Sequence, residues 1–124
     1  MNFRGDLFYT PTVATTTKVF RATQALSNTL PVFTRVELYG RNALNQWVFM
    51  SRITVPQGIG AIPVSAGCPA TAAGLTVGSV QGCDNGNERY WFFTFSSAGA
   101  PATFTAFRAI GVNSSGFGLA STIN

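Results

Sequence analysis

No histidine occurs in this 124-residue chain, and only four acidic residues do. Without His, the usual general base, triad partner and zinc ligand is missing, which excludes Ser-His-Asp and Cys-His arrangements and most zinc sites. Only carboxylate chemistry remains, and glycosidase-like work needs two carboxyls facing across a cleft about 5 to 10 Å apart. The candidates are Asp6, Glu37, Asp84 and Glu88. Glu37 reads as a partner of Arg35 or Arg52 on a strand face, and Asp84 and Glu88 flank a turn. The chain is therefore read as non-enzymatic and without a cofactor.

Charge of either sign is also scarce: charged residues make up 10%, where about 25% is usual. Uncharged polar residues, Gly and Ala must cover the outside, a composition associated with extracellular β-domains, pilins and virion proteins. Weak charge repulsion between copies makes self-association easier. The formal charge of +4 comes from arginines and Lys18, with no basic run, so a slightly basic solvated surface is expected and nucleic acid is not an expected partner. No apolar run is long enough to span a membrane, so no membrane insertion is expected. Met1 to Asp6 has no apolar core of a secretory signal. Either Met1 opens an excised mature domain, the preferred reading, or the protein leaves the cell by another route, as virion proteins do.

Cys68 and Cys83 are too far apart for a CxxC redox or zinc motif. A disulfide closing the Gly/Ala-rich stretch between them fits better than two separate buried thiols, and such a bond needs an oxidising compartment. An extracellular or cell-surface location follows, with a virion as the alternative.

The length allows one domain over residues 1–124. Thr12 to Thr23 reads as a first long strand. Val32 to Tyr39 alternates, with Val32, Thr34, Val36 and Leu38 on one face and Phe33, Arg35, Glu37 and Tyr39 on the other. Gln46 to Val55 follows, with Trp47, Phe49, Ser51 and Ile53 expected to face the core. Pro56 to Gly86 is a Gly/Pro/Ala-rich excursion with short edge strands at 61–64 and 75–80. Glu88 to Ser96 and Thr103 to Val112 read as two adjacent antiparallel strands. Seven to nine short strands without a helical stripe predict an all-β, antiparallel sandwich of immunoglobulin-like type.

The aromatic strand is the main candidate for binding. Tyr90 and Phe92 oppose Trp91, Phe93 and Phe95, and a strand wetted on one side should instead alternate with polar residues. The second face must be covered by a loop of the same chain, by another protein, or by a ligand such as a sugar ring. The outward face is assigned to Trp91, Phe93 and Phe95, with Trp91 or Tyr90 as anchor. Arg35, Arg52 and Arg108 would form a stripe of guanidinium planes if their strands share one sheet in matching phase. Phe20-Arg21-Ala22 and Phe107-Arg108-Ala109 echo each other, a match that chance explains more often than not; if it has structural meaning, the two strands would occupy similar positions in facing or neighbouring sheets, each Arg outward. Asp84, Asn85, Asn87 and Glu88 offer oxygen ligands at spacings like a calcium loop, although a tight hairpin turn explains them fully. Arg4-Gly5-Asp6 matches the integrin tripeptide, which chance explains, and Asn113-Ser114-Ser115 is a formal glycosylation sequon that also reads as a turn.

The order Thr34-Arg35-Val36-Glu37-Leu38-Tyr39, Trp47-Val48-Phe49, the aromatic strand, then Thr105 to Gly116, resembles the immunoglobulin-like and fibronectin type III-like modules of bacterial surface proteins. The two cysteines depart from the antibody pattern, being too close together to bridge the sheets. The resemblance implies a spacer, adhesive or assembly role: a structural or adhesive module of a surface or appendage protein, binding protein partners or its own copies. A carbohydrate-binding module of a secreted protein and a phage or viral virion protein are the alternatives.

Overall fold

Nine strands follow one another along the described residues: β1 (Arg4–Leu7), β2 (Thr17–Ala25), β3 (Arg35–Arg41), β4 (Trp47–Thr54), β5 (Val64–Ser65), β6 (Val80–Asn85), β7 (Glu88–Ser96), β8 (Ala106–Val112) and β9 (Gly118–Ile123). The computed structural model describes residues 4–7, 16–27, 29–69, 75–113 and 118–123, with β1 and β9 described by backbone alone. The strands form two sheets, ordered β1-β2-β7-β6-β5 and β4-β3-β8-β9. The strand order, leaving aside the two-residue β5, is that of the immunoglobulin sandwich, A-B-E-D against C′-C-F-G. The β5–β6 pair is parallel, the other pairs antiparallel.

Strands β7 and β8 were expected to be neighbours in one sheet and are not: residues 97–105 carry the chain from one sheet to the other. The turn-like residues Ala98 to Pro101 are compatible with either path, and only the packing of two separate faces decides between them. Strand β7 is the middle strand of its sheet, and its residues Trp91 to Phe95 are buried on both faces, in two separate clusters. A strand covered on both faces has no position that must be polar.

The main core lies between the sheets and joins Phe20, Ala22, Trp91, Phe93 and Phe95 to Phe33, Val36, Leu38, Ile53 and Ala109. Trp91 is fully buried. The outward assignment of Trp91, Phe93 and Phe95 is thus corrected: these three line the core, and Tyr90 and Phe92 point the other way. The alternation was real and its phase was inverted, because an unbroken apolar strand carries no polar residue to mark its outside.

Phe92 is nevertheless buried. It packs with Val19 and Cys83, and Cys68, Leu75 and Tyr90 cover that cluster. Cys68 and Cys83 are joined by a disulfide, which ties the excursion to β6 and draws it over the outer face of the five-stranded sheet. The cover of the doubly aromatic strand is therefore part of the same chain.

Three strand glycines face aromatic rings. A Cβ at Gly82 would lie 2.7 Å from Trp91, and side chains at Gly40 and Gly111 would enter the rings of Phe104 and Phe33. Glycine in a strand weakens the strand itself but admits close approach of a neighbour, and here the neighbour is each time a large ring.

Strand β4 carries a bulge. Leu38 pairs with Ser51 but Tyr39 pairs with Phe49, leaving Met50 extra. One inserted residue reverses the inward and outward faces along the strand. Ile53, opposite Val36, is in the core, whereas Trp47 is half-buried and Phe49 exposed. The expectation of a core Trp47 is corrected for this reason.

Candidate binding face

The outer face of the four-stranded sheet is built by register. Arg35, Glu37, Tyr39 and Arg41 alternate with the core residues Val36 and Leu38 on β3. Across from them on β4 stand Thr54, Arg52, Phe49 and Trp47, and on β8 Val112, Ile110, Arg108 and Ala106. The turn that places Trp47 is tied by Asn42, whose side-chain oxygen accepts hydrogen bonds from the backbone N–H of Leu44 and of Gln46, both 2.9 Å. Asn45 takes the left-handed conformation, with φ 61°, which Asn tolerates better than most residues.

Trp47 and two arginines form the centre of this face. The Arg108 guanidinium lies 4.3 Å from the Trp47 ring centroid, and that of Arg41 lies 5.8 Å away. The Nε atoms of both arginines are buried without an acceptor. Beside them Tyr39 and Phe49 meet edge to face at 5.7 Å, and Phe49 is 52% exposed. Next to Phe49, a cleft of about 440 Å³ opens between Val48, Met50, Pro101 and Phe104.

Glu37 is the carboxylate of the face. Its oxygens accept from Arg35 Nε at 3.0 Å and from the Tyr39 hydroxyl at 2.9 Å. Burial pushes the Glu37 carboxyl up, but the hydrogen bonds from Arg35 and Tyr39 and the charges of Arg35 and Arg52 outweigh it and hold the carboxyl below its usual range. The same bond to Glu37, with burial and the carboxylate charge, raises the Tyr39 phenol.

The three arginines singled out from the sequence are thus brought onto one face. Arg35 is held by Glu37, Arg52 stands exposed opposite Glu37, and Arg108 stacks on Trp47. Sequence reasoning placed Tyr39 on this face without giving it a role and missed Arg41, Trp47 and Phe49. The signal for Arg41 was available, since it continues the Arg35–Glu37–Tyr39 alternation; Trp47 and Phe49 were hidden by the bulge.

The echoed tripeptides do occupy facing sheets. Phe20 and Ala22 are in the core on β2 with Arg21 outward, 4.3 Å over Tyr90, as Arg108 is outward over Trp47 on β8.

The calcium candidates lie in the β6–β7 hairpin. Asn85 pairs with Glu88 across Gly86 and Asn87, and Gly86 has φ 67°, the conformation a two-residue hairpin loop asks of a first-position glycine. Asp84 accepts from Arg89 Nε at 2.8 Å; this bond, with the Arg89 charge, holds its carboxyl below the usual range against the upward push of burial. Asn85 donates to the Tyr90 hydroxyl at 2.7 Å. Among the described residues no three His, Cys, Asp or Glu side chains gather as metal ligands.

Arg4-Gly5-Asp6 lies in β1, paired with Thr23, Ala22 and Arg21 of β2, and not at a loop tip. Of the sequon, Asn113 is half-buried, and residues 114 and 115 lie outside the described residues. Among the described residues no helix is long and apolar enough to cross a membrane. In comparison with known proteins, the chain matches no family model, no curated protein and no solved structure.

Proposed function

We propose that this chain is a non-enzymatic structural or adhesive module that works in an oxidising, extracellular setting and holds a protein partner through the outer face of β4-β3-β8-β9. The observation that carries the reading is Phe49, which stands 52% exposed against Tyr39 in a row that also holds Arg108. An aromatic side chain left in water at the middle of an ordered strand gains from being covered, and Trp, Tyr, Phe and Arg are the residues enriched where proteins meet. The disulfide supports the compartment, because such bonds persist outside reducing cytosol. The scarcity of charge supports an assembled or surface-bound role, as does the resemblance to surface-protein modules.

A random peptide display selection on the immobilised protein tests the reading. Peptides are expected whose binding to Phe49→Ser falls at least about tenfold, with the melting temperature of the variant close to that of the parent. A selection that yields no peptide sensitive to Phe49→Ser overturns it.

A glycan is the second reading, favoured by the cleft of about 440 Å³ beside Phe49, a size within the usual range for small-ligand sites. A glycan array with Phe49→Ser as the paired control decides it.

A further inference from the structure

The outer face of the four-stranded sheet carries Arg35, Arg41, Arg52 and Arg108 against the single carboxylate of Glu37. Glu37 is already engaged by Arg35 and Tyr39. Among the described residues no carboxylate meets Arg41 or Arg108: both guanidiniums lie over the Trp47 ring, with their Nε atoms turned into the protein, which leaves the terminal nitrogens as the donors for an outside group. A guanidinium stacked on a ring keeps its planar fork of N–H donors, which matches the two oxygens of a carboxylate. Lys18, the chain's one lysine, is not on this face; it reaches over Phe107 from the opposite sheet.

From this we infer that the partner is an acidic protein segment, whose Asp and Glu carboxylates bind the Arg41 and Arg108 guanidiniums while an apolar side chain covers Phe49. The inference rests on the reading of this face as protein-binding.

Charge decides among the possible occupants. A second copy docked symmetrically by the same face would set four arginines against four, and like-charge contact disfavours that pairing. A sugar ring stacks on a bare aromatic face, whereas Arg108 already lies over Trp47. Nucleic acid uses free rings as stacking platforms along a basic groove, and here Tyr39 and Phe49 are turned edge to face. Carboxylates on a protein chain can satisfy the forks and supply the apolar cover together.

Peptides selected on the wild-type protein are synthesised and their binding is followed by fluorescence anisotropy, with heparin and a single-stranded oligothymidine as comparison probes. The selected sequences are expected to be enriched in Asp and Glu. Their affinity should fall as salt is raised, and at least about tenfold in the Arg41→Gln, Arg108→Gln double variant, since hydrogen bonds to charged groups are the strong ones. Arg21→Gln, on the other sheet, should leave it unchanged. Arg108→Lys keeps the charge and loses the fork; it should weaken binding too, and it serves as the second variant should the double one fold poorly.

Peptides that lack acidic residues, bind equally to both arginine variants and are lost in Phe49→Ser would overturn the acidic partner and leave the protein-binding face standing. Absence of any peptide sensitive to Phe49→Ser or to the arginine variants overturns both. Heparin or oligothymidine binding at least about tenfold tighter than the peptides, with the same arginine dependence, also overturns the inference by assigning the anion to another class.

Discussion

The Phe33 ring lies against the backbone of Gly111, in the space that a side chain there would fill. Phe33 is buried, so the ring has no free direction in which to retreat. Gly111→Ala is expected to cost about 1–3 kcal/mol, the usual penalty of overpacking. Gly99, with open space where its Cβ would be, should accept Ala with a change below about 0.5 kcal/mol. Urea denaturation of the two variants checks the contrast; equal midpoints would mean that Phe33 does not sit on Gly111.

The two tryptophans should behave oppositely. Trp91→Ala empties a fully buried site and is expected to cost about 3–5 kcal/mol. Trp47→Ala removes a half-buried ring whose cation–π contacts are each worth about 0.5–1 kcal/mol, and should leave the fold in place. In the parent protein, a water-soluble quencher should reach one indole and not the other. The order of stability loss is the decisive reading, and a larger loss at Trp47 would show that the bulge is misplaced.

Reduction of the Cys68–Cys83 bond should destabilise the domain by about 3 kcal/mol, the loop-entropy value for a loop of this size, whose sequence separation is 15. It should also loosen the cover over Val19 and Phe92, so that amides of β2 and β7 exchange faster in reductant. Intact mass with and without reductant establishes the bond itself. Unchanged exchange in those strands would separate the bond from the packing it is held to fix.

Glu37→Gln should lower the ionisation of Tyr39 toward the ordinary tyrosine value, because the hydrogen bond to the carboxylate is the first cause of its elevation. For Tyr39, whose folded value is raised, the stability from this pair is fully present below the usual phenol range of about 10 and is lost as pH rises through the folded value. For Glu37, held low in the fold, the stability is present above its unfolded value of about 4.3 and is lost as pH falls through the folded one. Ultraviolet titration and acid denaturation of parent and variant measure the two ends. A Tyr39 transition that does not move would remove the carboxylate as its cause.

Legibility from sequence followed the physics of each strand. The alternation through Val36 and Leu38 was readable because β3 has one dry and one wet face, and its arginines and Glu37 marked the wet side; it does not extend to Phe33, which precedes β3 and is buried in the core. Strand β7 was readable as a strand but not in phase, since burial on both faces erased the polar marker. The edge strands expected at 61–64 and 75–80 are found at Val64–Ser65 and Val80–Asn85, the second displaced because Gly82, Asp84 and Asn85 belong to turns by local preference; Gly82 leaves room for Trp91, a reason visible only across the sheet. The disulfide was readable from composition, whereas its task of holding a cover over Phe92 required the outer cluster to be seen. The arginine face was half readable: three of its arginines and Tyr39 are legible from alternation, while Trp47 and Phe49 depended on one unpaired residue.

That residue, Met50, divides β4 into two stretches answerable to different demands. Residues 51–54 stay in step with the interior, while 47–49 are set by the turn at Asn42 and belong to the surface. Removing Met50 would make the ladder regular and keep Phe49 and Trp47 opposite Tyr39 and Arg41 on the outer face; turning the two rings inward takes a one-residue slip of 47–49 against β3. The bulge thus lets the turn at Asn42 set the faces of 47–49 independently of 51–54, so that the outward pair Trp47 and Phe49 and the core residue Ile53 belong to one strand without sharing one alternation.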